Sequence, residues 1–367
     1  MKIDITDTVN KRSISMDEKR KFAGVCFLSV ALLICSCCKK VEKTGQLQVI
    51  RGRTMGTFFT VKYVPQSDKP GNTEETRRKI AAGIENTLLQ VNRQMSIYIP
   101  DSEISRFNRY AHTDWFSVSA DLAEVVHQAL YISELSGGAF DITVGPLVNL
   151  WGFGPEQKPG DIPAGEKIKE RMQFIGYRKL SVRLSPPALK KTIPGVYCDL
   201  GGIAKGCGVD KIAEYFDALG IGNYLIEIGG EVRAKGGKEN GRCWRLGIAS
   251  PDGGPGIQQA FPLKNAALAT SGDYHNYFEQ DGIRYSHTID PETGKPITHK
   301  LASVTVLHDS CTAADALATA INVLGPGKGY DLAVKENLPV FLIIKGKDRF
   351  FEKKTPAFEM ILSASDR

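Results

Sequence analysis

Between residues 47 and 344, β-forming runs and amphipathic helical runs follow one another without the regular strand-helix-strand beat of a doubly wound parallel sheet. Apolar residues recur at helical spacing at Ile80, Ile84, Leu88 and Val91. They do so again at Leu122, Val125, Val126, Ala129 and Leu130, behind an N-cap at Ser119, in a helix that should stop at Gly137-Gly138. A third helix begins near Gly206, buries Val209, Ile212, Ala213 and Phe216, and ends at Gly220. A fourth runs from about Ala313 to Leu324 and is stopped by Gly325-Pro326-Gly327. Strand-like runs cover residues 47–63, interrupted at Met55-Gly56-Thr57, and 224–233, broken at Gly229-Gly230. Further ones cover 244–249, 302–307 and 340–344, whereas 145–165 is rich in glycine and proline and reads as a long loop. The class predicted is α+β, and 367 residues suffice for one large domain or two ordinary ones.

Net charge is +6 with no long basic block, which gives no indication of nucleic-acid binding. The N-terminus is more specific. Lys19, Arg20 and Lys21 precede thirteen apolar or small residues from Phe22 to Ile34. That run is short of the roughly 20 residues a bilayer span needs, but it suits the h-region of a secretory signal. Ile34-Cys35-Ser36-Cys37 resembles a bacterial lipobox, apolar at −3, small at −1 and cysteine at +1. The sequence therefore predicts a lipoprotein signal peptide over 1–36, lipidation of Cys37 with palmitate in the anchor, a polar tether over 37–46 and a folded body over 47–367. An uncleaved anchor or shallow apolar helix is the alternative. Residues before Met16 fit an n-region poorly, which points to translation starting at Met16. The protein is expected to be exported and lipid-anchored to a bacterial membrane, facing the periplasm. Cys198, Cys207, Cys243 and Cys311 form no CxxC pair or zinc spacing and read mostly as buried small hydrophobes.

Four segments carry chemistry. Residues 286–297 read Ser-His-Thr-Ile-Asp-Pro-Glu-Thr-Gly-Lys-Pro-Ile, a strand entering a tight turn, with His287 three residues before Asp290. Strand ends present side chains to ligands, so His287 is a candidate proton carrier; a solvated hairpin histidine is the alternative. Asp315 and Thr319 lie four apart on one helix face and offer a carboxylate and a hydroxyl of the kind Mg²⁺ takes. Equally, Thr312 as N-cap with Asp315 at N3 makes a capping-box-like helix start. Residues 199–206, Asp-Leu-Gly-Gly-Ile-Ala-Lys-Gly, form a glycine turn feeding a helix, where free amides and Lys205 favour an anion. Neither P-loop nor GxGxxG spacing is present, so a plain strand-turn-helix link also fits. Finally, residues 138–154 join Asp141 to a loop bearing Trp151 and Phe153, which either face a flat heteroaromatic ligand or plug the loop onto the core. Tyr98 precedes a polar turn, Asp101-Ser102-Glu103 through Arg106-Phe107-Asn108.

Together these segments resemble the FAD:protein FMN transferases, the ApbE family of periplasmic flavin-attaching lipoproteins. The resemblance rests on Met55-Gly56-Thr57, Tyr98 with 101–108, 138–154, 199–206, Ile228-Gly229-Gly230, Thr270-Ser271-Gly272-Asp273-Tyr274, 286–297 and Ala314-Asp315 with Thr319. It implies a single T-fold-like α+β domain of two sheet-and-helix halves with the FAD site between them. The implied activity is Mg²⁺-dependent transfer of FMN from FAD to a threonine hydroxyl of an acceptor protein, releasing AMP. Implied metal ligands are Asp315, Thr319 and the backbone carbonyl of Gly202. Flavin and adenine contacts map onto Met55, Tyr98, Ala139, Phe140, Asp141, Asp199, Lys205 and Ile289, and His287 matches the residue that assists proton transfer. Implied partners are acceptors with a threonine-containing flavinylation motif, redox-pump subunits among them. The alternatives are an FAD-carrying lipoprotein and an FAD pyrophosphatase giving FMN and AMP.

Overall fold

The run at 47–63 folds around its small-residue interruption. In the computed structural model, which describes residues 45–65, 73–155, 162–250, 256–272, 277–280 and 282–365, β1 (Gln48–Thr54) and β2 (Thr57–Tyr63) form a hairpin. Met55 and Gly56 make its two-residue turn, both at positive φ, which matches the twist of paired strands. The signal peptide over 1–36, Cys37 and most of the tether over 37–46 lie outside the described residues, as do Asp273 and Tyr274.

From Tyr63 the chain leaves the sheet through α1 (Glu74–Met95), α2 (Glu103–Arg109), β3 (Phe116–Ser117), α3 (Ala120–Leu135), α4 (Gly145–Leu150), α5 (Gly165–Met172), β4 (Leu180–Leu184), β5 (Pro187–Lys191) and α6 (Ala204–Ala218). It returns as the hairpin β6 (Tyr224–Ile228) and β7 (Glu231–Lys235), then β8 (Trp244–Ala249), β9 (Ile257–Leu263) and β10 (Ala266–Gly272). After β11 (Tyr277–Gln280), β12 (Ile283–Ser286), β13 (Ile289–Asp290) and β14 (Lys295–Pro296) come β15 (Leu301–His308) and α7 (Cys311–Lys335). The chain closes with β16 (Val340–Lys345), β17 (Phe350–Lys354) and α8 (Pro356–Ser365). Tyr63 pairs directly with Tyr224, so the long excursion begins and ends at one register pair.

Eight strands form one continuous sheet in the order β1-β2-β6-β7-β10-β15-β16-β17, every neighbouring pair antiparallel. The α+β class is thus observed; the other described strands form the small sheets β3-β5-β4, β8-β9, β11-β12 and β13-β14. Successive side chains point to opposite faces. Ile226, Ala267, Val304, Val306 and Leu342 pack on the face covered by α1, α6 and α7. Leu225, Leu268, Ala302, Phe341 and Ile343 pack on the other, against Trp244 and Phe261 of the β8-β9 ribbon and Phe358 of α8. Because both faces are covered, β15 is buried at seven of its eight positions, Ser303 and Thr305 included.

Several local expectations are met and several are corrected. Ser119 caps α3 by accepting from the Leu122 amide, and Ile80, Ile84, Leu88 and Val91 are all buried on α1. Cys198, Cys207 and Cys311 are buried, whereas Cys243 is exposed. The loop expected over 145–165 contains α4, because Pro146 sits in its first turn, where its missing N–H costs nothing. The polar turn at 101–108 is largely the helix α2, capped by Ser102, whose hydroxyl accepts from the Ser105 amide at 3.1 Å. On α7 the cap is Ser310 rather than Thr312, which removes Asp315 from any capping box. Gly325 does end the helical run, at φ 77 and ψ −176, but helix resumes at Pro326.

The helix pair α6 and α7 meets at Gly206. A Cβ there would overlap the Cys311 carbonyl and stand 2.9 Å from Asp315 Cβ, so only glycine permits this approach. We therefore expect Gly206→Ala to push the helices apart and destabilise the fold by about 1–3 kcal/mol. Urea unfolding checks this: a midpoint equal to that of the parent would contradict the close-packed crossing.

Candidate functional site

Beside that crossing a cavity of about 280 Å³ opens among five segments. They are Ala139–Ile142 with Val144, the turn from Asp199 to Lys205, the Gly229-Gly230-Glu231 corner, the end of β10 from Thr270 to Gly272, and His287 to Ile289. Asp315, Thr319 and Val323 of α7, with Val148 and Pro291, complete the lining. Ten residues proposed from sequence thus converge: Ala139, Phe140, Asp141, Asp199, Gly202, Lys205, His287, Ile289, Asp315 and Thr319. Two do not line it. Met55 is partly buried and lays its Cε against Gly208. Tyr98 is 65 % exposed, and its hydroxyl donates to the Phe153 carbonyl at 3.1 Å. Burial, and the Asp199 carboxylate after it, raise the Tyr98 phenol above its ordinary value.

The first wall is built by backbone pairing. The Asp199 amide donates to the Ile142 carbonyl at 2.7 Å, and Val144 bridges to Tyr197 in parallel. Asn108 holds both sides of Cys198, donating to its carbonyl and accepting from its amide, each at 2.8 Å. Asp141 spends its carboxylate locally: Oδ1 accepts from the Thr143 amide and hydroxyl at 2.8 and 2.6 Å, and Oδ2 from the Tyr177 amide at 2.7 Å. Burial still pushes its carboxyl up, with those donors pulling the other way. Asp199 is likewise raised by burial, opposed by the Gly201 amide at 2.8 Å.

The opposite wall carries the charge. Asp315 is 4 % exposed; its Oδ2 accepts from the Gly206 amide at 3.0 Å and its Oδ1 lies 3.6 Å from Lys205 Nζ. Burial alone would lower the Lys205 ammonium, but Asp315 and Glu231 outweigh it and hold it above its ordinary value. Glu231, which the sequence reading missed, is pushed up by burial, then partly restored by Lys205 and raised again by Asp315. Its only signal in the sequence is a carboxylate directly after the Gly229-Gly230 turn.

His287 belongs to an aromatic column. Phe153 meets its ring edge-on at 6.4 Å, Phe278 lies 5.8 Å from Phe153, and Tyr285 stacks on Phe278 at 5.0 Å and on Trp151 at 5.8 Å. Trp151 is 3 % exposed and donates from Nε1 to the Gly294 carbonyl at 2.9 Å, so it plugs its loop onto the β13-β14 hairpin that follows His287. Asp290 closes its own turn, accepting from the Glu292 amide and the Thr293 hydroxyl, both at 2.9 Å. Asn322, also missed, is fully buried on α7; its Nδ2 donates to Ser271 Oγ at 3.2 Å and reaches Thr288 Oγ1 at 3.5 Å. It thereby ties the β10 end and the strand after His287 to the helix bearing Asp315 and Thr319.

The residues expected to hold Mg²⁺ suit a hard cation. Among the described residues no cluster of three or more His, Cys, Asp and Glu is present. The set here is instead a carboxylate, a hydroxyl and a carbonyl, all oxygen. A Cβ added to Gly202 would stand 3.0 Å from Thr319 Oγ1 and 3.2 Å from the Phe140 ring, so the bare glycine leaves a cradle between turn and helix. Asp315 accepts from the Gly206 amide at 3.0 Å, and its other oxygen has a cation, Lys205 Nζ, at 3.6 Å.

Residues 55–342 match the ApbE family. The FAD:protein FMN transferase of Vibrio cholerae serotype O1 is 43% identical over 337 residues, covering 92% of this chain and 98% of that protein. The one from Haemophilus influenzae is 40% identical over 353 residues, covering 95% and 100%. Among solved structures, flavin transferase ApbE from Vibrio cholerae matches with a TM-score of 0.79 at 42% identity, over 86% of this chain and 99% of that one. The apo flavinyl transferase ApbE of Pseudomonas stutzeri matches with a TM-score of 0.80 at 37% identity, over 87% and 98%.

Replacing Asn322 by leucine takes away the donor shared by Ser271 and Thr288. We expect Asn322→Leu to cost about 1–3 kcal/mol in urea unfolding, the usual penalty for stranding buried polar partners. Unchanged stability would remove this amide from the support of the site.

Proposed function

This chain belongs to the ApbE family, and on that premise we propose that it transfers FMN from FAD to a threonine hydroxyl of an exported acceptor protein, with release of AMP. The observation that carries this reading is the convergence, in one cavity, of an oxygen donor set, a glycine turn and His287. FAD is the substrate and supplies the pyrophosphate to be split. Asp315, Thr319 and the Gly202 carbonyl would hold Mg²⁺, which when bound neutralises charge on phosphate oxygens. Amides of the turn from Asp199 to Gly206 favour the anionic pyrophosphate. His287 accepts the proton of the acceptor threonine as its oxygen bonds to the FMN phosphorus. The bond from that phosphorus to the bridging oxygen breaks, and the oxygen departs with AMP. The same reading makes Cys37 the lipid attachment point of a periplasm-facing enzyme and threonine-bearing redox-pump subunits its acceptors.

Intact mass of a threonine-motif acceptor domain, incubated with the protein, FAD and Mg²⁺, tests the reaction. A gain equal to FMN less one water, accompanied by AMP release and abolished by EDTA, is expected. Asp315→Ala should abolish the gain, and His287→Ala should slow it by roughly 10²–10⁴, the usual worth of a general base. Free FMN and AMP with unmodified acceptor would make hydrolysis the activity; FAD bound and unchanged would make the protein a carrier.

A further inference from the structure

Lys205 stands between two buried acids. Its Nζ lies 3.2 Å from Glu231 Oε1 and 3.6 Å from Asp315 Oδ1, and those side chains are only 3% and 6% exposed. The second oxygen of Asp315 is taken by the Gly206 amide at 3.0 Å. Glu231 Oε2, by contrast, is buried and has no hydrogen-bond partner among the described residues. An ammonium carries three donor hydrogens, so Lys205 can engage both oxygens of Glu231 if it gives up Asp315. Room for its stem is provided by Gly229, at φ 58, where a Cβ would stand 3.4 Å from Lys205 Cδ.

A divalent ion and an ammonium repel each other strongly when held on the same buried carboxylate. A cation entering at Asp315 therefore pushes Lys205 away, and Glu231, already in contact with Lys205 through Oε1, offers it an Oε2 that has no partner among the described residues. We propose that Lys205 is a resident cation that neutralises Asp315 before Mg²⁺ binds, and that Glu231 is the positioning residue that draws it away and so sets the metal affinity. The exchange moves one charge between two acids and breaks no covalent bond. It rests on Asp315 being the carboxylate of the Mg²⁺ site.

Calorimetric titration of the FAD-free, full-length protein with Mg²⁺ tests both layers. Asp315→Asn is expected to abolish binding. Glu231→Gln leaves Lys205 on Asp315 alone and should raise the dissociation constant about tenfold, the worth of one charge-assisted hydrogen bond. The double variant Lys205→Met, Glu231→Gln keeps the net charge of the parent and strips the resident cation. It should bind Mg²⁺ at least as tightly as the parent, a rescue that damaged packing does not produce. Near-UV circular dichroism confirms that each variant is folded. If the parent takes up no Mg²⁺, or Asp315→Asn still binds it, the metal assignment and this inference fall together. If those two behave as expected but Glu231→Gln is unchanged, or the double variant stays as weak as Glu231→Gln, only the role of Glu231 is overturned.

Discussion

The crossing of α6 over α7 at Gly206 is the constraint on which the rest of the site depends. Its amide fixes one oxygen of Asp315, and its missing side chain lets two backbones come close enough for that bond to form. One turn further along α6, Asp210 makes a second attachment. It accepts from the Cys311 and Thr312 amides, at 3.1 and 2.9 Å, and from the Ser310 and Thr312 hydroxyls, at 2.9 and 2.8 Å. These bonds satisfy amides that any helix start leaves open. Arg233 of β7 pairs with Asp210 as well, two residues from Glu231 on the same strand. Gly206 with Asp315, and Asp210 with the α7 start, are thus two contacts on one helix face. Together they fix α7 in rotation and in height relative to β7.

The opposite side of the cavity is held by different physics. There the backbones of residues 142–144 and 197–199 pair, while Trp151, Leu147, Ile168, Ile175 and Ile289 form a small core of their own. That core holds Trp151 against the hairpin, so the aromatic column leading to His287 is a packed extension of it. Asn322 joins the two systems, since it sits on α7 and reaches Thr288. The acid wall and the histidine wall meet through one buried amide.

Much of this was legible in the sequence, for identifiable reasons. Asp315 and Thr319 were visible because a helical spacing of four places two oxygens on one face, and His287 because its turn chemistry is local. The hairpin breaks at Met55-Gly56 and Gly229-Gly230 were legible because a positive φ calls for glycine. Asp210, Asn322 and Glu231 were not. Their surroundings were read, as two helices and the Gly229-Gly230 turn, but each side chain acquires its role from residues far away in the chain. The cap read from sequence was Thr312, whereas Ser310 caps the helix; the carboxylate of Asp210, accepting from the Thr312 amide and hydroxyl, fixes Thr312 inside the first turn. The helix α4 was hidden because proline and glycine mark helix starts as well as loops.

The pairing of Tyr63 with Tyr224 bears on how the chain acquires its shape. Three of the seven neighbouring pairs in the large sheet, β1-β2, β6-β7 and β16-β17, are hairpins of consecutive strands, which close within microseconds. The β2-β6 seam is different, because α1 to α6 must be gathered before its two strands can meet. Closing so long a loop spends chain entropy before the seam returns any contact. Topology of that sort slows folding far more than it lowers final stability. Both walls of the cavity depend on this seam, since Asp199 lies within the excursion and Asp315 beyond it. Closure of the local hairpins is therefore expected to run ahead of assembly of the site.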